Sequence, residues 1–164
     1  MRDQQGEPRR GERIMSHAYT NLMTHVIFST KERRPYLDAE LKPRLLAYMG
    51  GIIREFNGVA VTINSVTDHV HLLLSLPPTI SVADALRILK TNSSRWVHET
   101  WRARREFSWQ AGYGAFSASQ SNVVGVTKYI ADQEKHHRKV SFQDEFIQFL
   151  KKHRIEYDGR YIWQ

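Results

Sequence analysis

Asp68-His69-Val70-His71-Leu72-Leu73-Leu74-Ser75-Leu76, closed by Pro77-Pro78, is the stretch from which the rest of the chain is best read. Side chains alternate along a strand, so Val70, Leu72, Leu74 and Leu76 share one face and His69, His71, Leu73 and Ser75 the other. The first set is wholly apolar and is expected to face a core. The second places two imidazoles roughly 7 Å apart on one rigid element. Neutral imidazole ligates divalent ions, so the pair is a candidate metal site; two ordinary histidines at a strand mouth would give the same spacing.

The flanking sequence supplies the partners of this strand. Val59 to Thr67 alternates Val59, Val61 and Ile63 against Ala60, Thr62 and Asn64. Only a tight turn near Thr67-Asp68 separates it from the histidine strand, which predicts an antiparallel hairpin. Upstream, Asn21 to Thr30 is rich in β-branched and aromatic residues and reads as a first strand, with Val26 and Phe28 on one face and His25 and Ile27 on the other. After the basic turn Lys31-Glu32-Arg33-Arg34-Pro35, apolar residues at Leu41, Leu45, Met49, Ile52, Ile53 and Phe56 recur at helical spacing. That helix begins between Asp38 and Pro43 and stops at Asn57-Gly58.

Downstream, Ser81-Val82-Ala83-Asp84 resembles a capping box with Asp in the usual Glu position. The helix behind it has Leu86, Leu89, Ser93 and Trp96 or Val97 on one face and Arg87, Lys90 and Arg95 on the other. Arg102, Arg104 and Arg105 follow. Trp109 to Ser119 reads as a short aromatic strand whose glycines mark turns or a close backbone approach. A helix capped by Ser119 or Ser121 then runs from Asn122 to His137. A last one begins after Ser141, burying Phe142, Phe146, Phe149 and Leu150. The order β-α-β-β-α-β, with added C-terminal helices, is that of an α+β, ferredoxin-like or RRM-like antiparallel sheet.

Composition narrows the class. A chain of 164 residues with 41% hydrophobic and 25% charged residues fits one domain with a real core. Cys is absent, which excludes a disulfide framework, a thiolate zinc site and a cysteine nucleophile, and suits a reducing cytoplasm. No apolar run approaches the ~18 residues of a membrane span. The net charge of +7 and pI near 9.8 point to a polyanionic partner, nucleic acid first. Residues 1–15 are polar and charged and are expected to be a disordered extension, with 16–164 a single domain.

A second chemical element lies in Tyr129-Ile130-Ala131-Asp132-Gln133. Residues i and i+4 share a helical face, so Tyr129 and Gln133 stand one turn apart. Lys128 and the run Lys135-His136-His137-Arg138-Lys139 make the end of this helix basic. His136 and His137 diverge by about 100° on a helix and are poor joint ligands.

Taken in order, Thr24-His25-Val26-Ile27-Phe28-Ser29-Thr30-Lys31, Asp68-His69-Val70-His71-Leu72-Leu73-Leu74, Gly112-Tyr113-Gly114-Ala115-Phe116-Ser117, Tyr129-Ile130-x-x-Gln133-x-x-His136-His137, Phe142-x-x-Glu145-Phe146 and Tyr161-Ile162-Trp163 resemble the IS200/IS605-family transposases. These are the single-tyrosine branch of the HUH nucleases. The resemblance spans Ser16 to Trp163. It implies that His69, His71 and Gln133 ligate Mg²⁺ or Mn²⁺ and that Tyr129 is the nucleophile. It further implies an enzyme that cleaves and rejoins single-stranded DNA at insertion-sequence ends through a 5′-phosphotyrosine, recognising subterminal hairpins. A homodimer is implied, with the tyrosine helix of one subunit commonly completing the site of the other, in a bacterial or archaeal cytoplasm at the nucleoid. Imidazole ligands suit Mn²⁺ or Co²⁺ better than Mg²⁺, so Mn²⁺ is expected to serve at least as well. Lys31, Arg33, Arg34, Arg87, Lys90, Arg95, Arg102, Arg104 and Arg105 are the candidate DNA contacts. The alternatives are a non-catalytic RRM-like nucleic-acid binder, a metal hydrolase that activates water and a host-domesticated single-tyrosine nuclease.

Overall fold

A computed structural model of the chain describes residues 19–163; the expected extension at 1–15 lies outside them. Four antiparallel strands form one sheet in the order β2-β3-β1-β4: β1 (Met23–Ser29), β2 (Val59–Ser65), β3 (His69–Ser75) and β4 (Gly114–Ser117). Helices α1 (Leu41–Glu55) and α2 (Val82–Thr100) return the chain between strands, which makes the expected α+β, ferredoxin-like topology. No helix of the described residues is long and apolar enough to cross a membrane.

Both faces of the sheet are covered, and this positions everything else. On one side Val26, Phe28, Val70, Leu72 and Leu74 pack against Leu41, Leu45, Met49 and Ile53 of α1 and Leu86, Leu89 and Val97 of α2. That is the apolar half of the β3 alternation. Ser81 caps α2 by accepting from the Asp84 amide at 3.0 Å. Pro43 lies in the first turn of α1, and Asn57, at φ 61°, ends that helix.

On the other side the C-terminal helices cover the histidine half: α3 (Val123–Ala131), α4 (Gln133–His136) and α5 (Phe142–Lys152). Leu73 and Met23 pack with Ile130 of α3, while Ile27 and Phe116 pack with Phe142 and Leu150 of α5. Gly114 permits this close docking, since a Cβ there would lie 2.8 Å from the Phe146 ring.

Three local expectations need correction. The helix expected over 122–137 is broken at Asp132, preceded by a 3-10 turn at Gln120–Asn122, and neither Ser119 nor Ser121 caps it through a side-chain bond. The fourth strand is four residues long; Trp109 makes only an isolated bridge to Thr30. In β2 the simple alternation fails because a bulge between Ala60 and Thr62 shifts the register on this edge strand. Val59 and Val61 are therefore exposed, and Ala60 and Ile63 turn to the core.

Candidate active site

β1 and β3 bring His25, His69 and His71 onto the covered face of the sheet, where all three are buried. Register places His71 opposite Ile27 on β1 and Asn64 on β2. Asn64 donates from Nδ2 to the carbonyls of Ile130 (2.8 Å) and Ala131 (3.2 Å). These are orphan carbonyls at the end of α3, so the bond anchors the tyrosine helix to the histidine sheet. Tyr129 consequently lies over the imidazoles of its own chain, its ring 5.9 Å from that of His71 and 6.2 Å from that of His25.

α4 and α5 close the site. One ring nitrogen each of His69, His71 and His137 and one carboxylate oxygen of Glu145 all lie within 4.8 Å of one another. Glu145 is 2% exposed and turns its two oxygens to different neighbours. Oε1 accepts from the Tyr129 hydroxyl, with Gln133 Nε2 3.5 Å away. Oε2 lies 2.9 Å from His137 Nε2 and 3.4 Å from His71 Nε2.

The outer contacts decide where the imidazole protons are. His69 Nδ1 lies 2.7 Å from an Asp68 carboxylate oxygen, and His137 Nδ1 lies 3.0 Å from the Val140 carbonyl oxygen. Both partners accept, so each Nδ1 carries its hydrogen and each neutral ring leaves Nε2 bare. His71 Nδ1 lies 3.1 Å from His25 Nε2; with Nδ1 donating in that pair, His71 Nε2 is bare as well. Burial keeps His25, His71 and His137 neutral. It lowers His137 and His25 to about 4 and, with the neighbouring imidazoles, puts His71 well below the ordinary value. For Asp68 burial works against ionisation, but the bond from His69 brings the carboxyl below its usual range.

Bare nitrogens therefore converge on the Glu145 carboxyl, which burial raises to about 8 and which a cation among them would hold in its ionised form. His69 Nε2 and His137 Nε2 are 2.9 Å apart, and with both Nδ1 atoms protonated neither neutral ring has a hydrogen to place between them. Among the described residues the buried polar atoms without a hydrogen-bond partner are Ser65 Oγ, His71 Nε2, Gln133 Oε1 and Glu145 Oε2. Such groups are costly in a dry interior unless a cation draws them together. A divalent ion fits this donor set. Each imidazole is also oriented from behind through Nδ1, as metal-bound histidines are.

The candidate residues from sequence thus divide. His69, His71, Tyr129 and Gln133 are gathered at one place. Glu145, His137, Asp68 and His25 are there too, although sequence reasoning does not single them out as site residues. Their signals are nonetheless present: Phe142, Glu145 and Phe149 share one helical stripe, and a carboxylate on an otherwise apolar stripe is anomalous. His136 and His137 do diverge; His137 joins the cluster, while His136 Nε2 lies 3.3 Å from the Tyr129 hydroxyl.

The basic candidates lie elsewhere. α2 packs on the opposite face of the sheet, so Arg87 and Arg95, with Arg102 and Arg105 beyond, are exposed away from Tyr129. Arg87 and Arg34 are paired with Asp84 and with Glu32 and Glu106. Lys31 and Arg33 are exposed on the loop after β1. Lys90 is half-buried over three backbone carbonyls, of Gln110, Ala111 and Gly112, with burial lowering it to about 8. Arg104 pairs with Asp38 and Glu40. The last two are held within the fold rather than presented to a ligand.

Beside Tyr129 opens a cavity of about 460 Å³ lined by His25, Gly125, Val126, His136, Glu145, Gln148, Phe149 and Lys152, among others. Its outer rim continues into a shallow cleft with Lys128, Lys135 and Lys139.

Comparison with known proteins bears on this arrangement. The family model for IS200-like transposases matches residues 18–133. The transposase for insertion sequence element IS200 of Salmonella typhimurium is 27% identical over 128 residues, 74% of this chain and 83% of that protein. The ISDra2 transposase TnpA of Deinococcus radiodurans is 27% identical over 114 residues, 66% of this chain and 81% of that protein. Among solved structures, one provisionally named a transposase, from Deinococcus radiodurans, matches at a TM-score of 0.61 with 23% identity, covering 74% of this chain and 97% of that one. A REP-associated tyrosine transposase bound to a REP hairpin matches at 0.57 with 16% identity, covering 82% and 76%. At these identities the two structures speak for the fold, which they share with this chain. The family match spans well over half the chain and takes in His25, His69, His71 and the tyrosine helix, and the protein belongs to the IS200-like transposases.

Proposed function

We propose that this transposase cuts and rejoins single-stranded DNA by a nucleophilic attack of Tyr129, at a metal centre that includes His69 and His71. The observation that carries the reading is the position of the Tyr129 ring against His71 at the wall of an open cavity. Gln133, expected as a further ligand, has a buried Oε1 with no hydrogen-bond partner, and its Nε2 lies 3.3 Å from the Tyr129 carbonyl.

In this reading the Tyr129 Oη attacks the scissile phosphorus. The bond from phosphorus to the 3′ oxygen breaks, the tyrosine is left joined to the 5′ phosphate, and the departing 3′ oxygen takes up a proton. The phenolic proton leaves toward Glu145 Oε1, the acceptor it already faces. A phenol with an ordinary pKa near 10 is a weak nucleophile at neutral pH. A bound divalent ion supplies charge stabilisation on the phosphoryl oxygens. The covalent linkage conserves the phosphodiester energy, so a second 3′-OH can reverse the step and rejoin DNA. Lys128, Lys135 and Lys139 ring the approach to Tyr129 and suit the backbone of a single strand.

The test uses labelled single-stranded hairpin DNA, Mn²⁺ and a denaturing gel. A metal-dependent covalent adduct is expected with the native protein and none with Tyr129→Phe or His71→Ala. Strand cutting by Tyr129→Phe at the native rate would instead support an activated water and overturn the proposal. A homodimer is expected. Mixing Tyr129→Phe with His71→Ala subunits reads how its sites are built, because adduct returns in the mixture when subunits share a site and stays absent when each uses its own.

A further inference from the structure

The family match ends at Gln133, and two of the four donor atoms at this site lie beyond it. From their geometry we infer that His137 and Glu145 are metal ligands alongside His69 and His71, and that the Glu145 carboxylate joins the centre to the nucleophile. The inference rests on the proposed reading of the site and specifies which residues build it.

Three observations carry it independently of any relative. The Nε2 atoms of His69 and His137 approach to 2.9 Å although the Nδ1 contacts of both rings leave those nitrogens without hydrogens. Two lone pairs at that distance repel unless a positive charge draws them together. Glu145 Oε2 is buried, accepts no hydrogen bond and lies 2.9 Å from His137 Nε2 and 3.4 Å from His71 Nε2. The other oxygen of that carboxylate accepts from the Tyr129 hydroxyl, so an ion at Oε2 would fix where the tyrosine oxygen stands.

The backbone explains how these groups arrive. The helix breaks at Asp132 (φ −90°, ψ 15°), and His137, at the C-cap of α4, reaches His69 of β3. Val140 holds the His137 ring from behind, and α5 begins at once, with Ser141 accepting from the Asp144 amide. Phe142 packs against His69 with ring centres 4.5 Å apart and planes tilted by 40°, and Glu145 follows one turn later. A donor set of three imidazoles and one carboxylate favours Mn²⁺, Co²⁺ or Zn²⁺ over Mg²⁺, which prefers oxygen ligands.

The test reads metal binding directly. The purified full chain, stripped with chelator, is titrated with Mn²⁺ by calorimetry and with Co²⁺ by visible absorption, as the native protein and as Glu145→Gln and His137→Ala. Each variant is expected to bind Mn²⁺ at least ~10-fold more weakly and to shift the Co²⁺ bands. Pulsed electron paramagnetic resonance of Mn²⁺ on the native protein needs no variant to fold, and should count three coupled imidazole nitrogens. Two imidazoles, together with unchanged Mn²⁺ affinity in Glu145→Gln, would overturn the assignment. The transposase reading is judged separately by the adduct of the native protein, which these titrations do not use.

Discussion

Glu145 and the histidines around it respond to pH in opposite senses, which makes the metal-free protein informative. Burial raises the Glu145 carboxyl from 4.5 to about 8. Between those values the folded chain keeps a proton that the unfolded chain has released, so the stability from this group is full below 4.5 and lost as pH rises toward 8. His25 and His137 are lowered from 6.5 to about 4, so across that window the unfolded chain binds more protons and stability rises with pH. Above 6.5, of these three groups only the carboxyl is still titrating. The melting temperature of chelator-treated protein is therefore expected to fall from pH 6.5 to 8, and Glu145→Gln to flatten the fall. A melting temperature that rises over that interval would contradict a Glu145 carboxyl raised by burial. Mn²⁺ added at pH 8 should restore much of the loss, because an ion bound only by the folded state stabilises it.

At the level of elements, the tyrosine helix is held by a side chain of the edge strand. Asn64→Ala removes the donor to the carbonyls of Ile130 and Ala131 and leaves the end of α3 without it. The expected cost is about 1 kcal/mol, measured by urea unfolding, with a larger proportional loss of covalent adduct than of Mn²⁺ binding. Equal losses in the two would mean that Asn64 serves the fold alone. This bond also shows where sequence reading stops. The β3 alternation and the helical spacing of α1 are local patterns, and both are legible with their faces correctly assigned. The break at Asp132 follows no local rule; it belongs with a contact between residues 66 apart in sequence. Glu145 is hard to find from sequence because charge argues for exposure, whereas here a cluster of donors makes burial tolerable. The bulge in β2 is hidden for a related reason, since an exposed edge strand puts little constraint on which face its valines take.

For the molecule as a whole, the sheet is a partition. Tyr129 and the lysines of α3 and α4 lie on one side, and the exposed arginines of α2 and the turn after it on the other. A hairpin held by Arg95, Arg102 and Arg105 would sit across the sheet from the phosphate being attacked. Replacing these three with glutamate is expected to weaken hairpin binding and flatten its salt dependence, by a slope of about 0.9 for each phosphate that is no longer neutralised. Adduct formation on a short unstructured oligonucleotide should be nearly unchanged. Lys128→Ala with Lys135→Ala and Lys139→Ala should do the reverse. Gel-shift titrations at several salt concentrations, beside adduct assays, separate the two sides; the same loss from both sets would contradict the division.

α5 is the last helix among the described residues, and this gives the site an order of assembly as well as a geometry. Synthesis delivers β1, the hairpin of β2 and β3, and then α3 before the helix that carries Glu145 exists. On the proposed roles, a chain caught at that stage owns its nucleophile and the ligands His69 and His71 but lacks the Glu145 carboxyl that joins them. Phe142 has not yet packed against His69. On those roles the capacity to cut would arrive with α5, after the sheet that must hold it has formed.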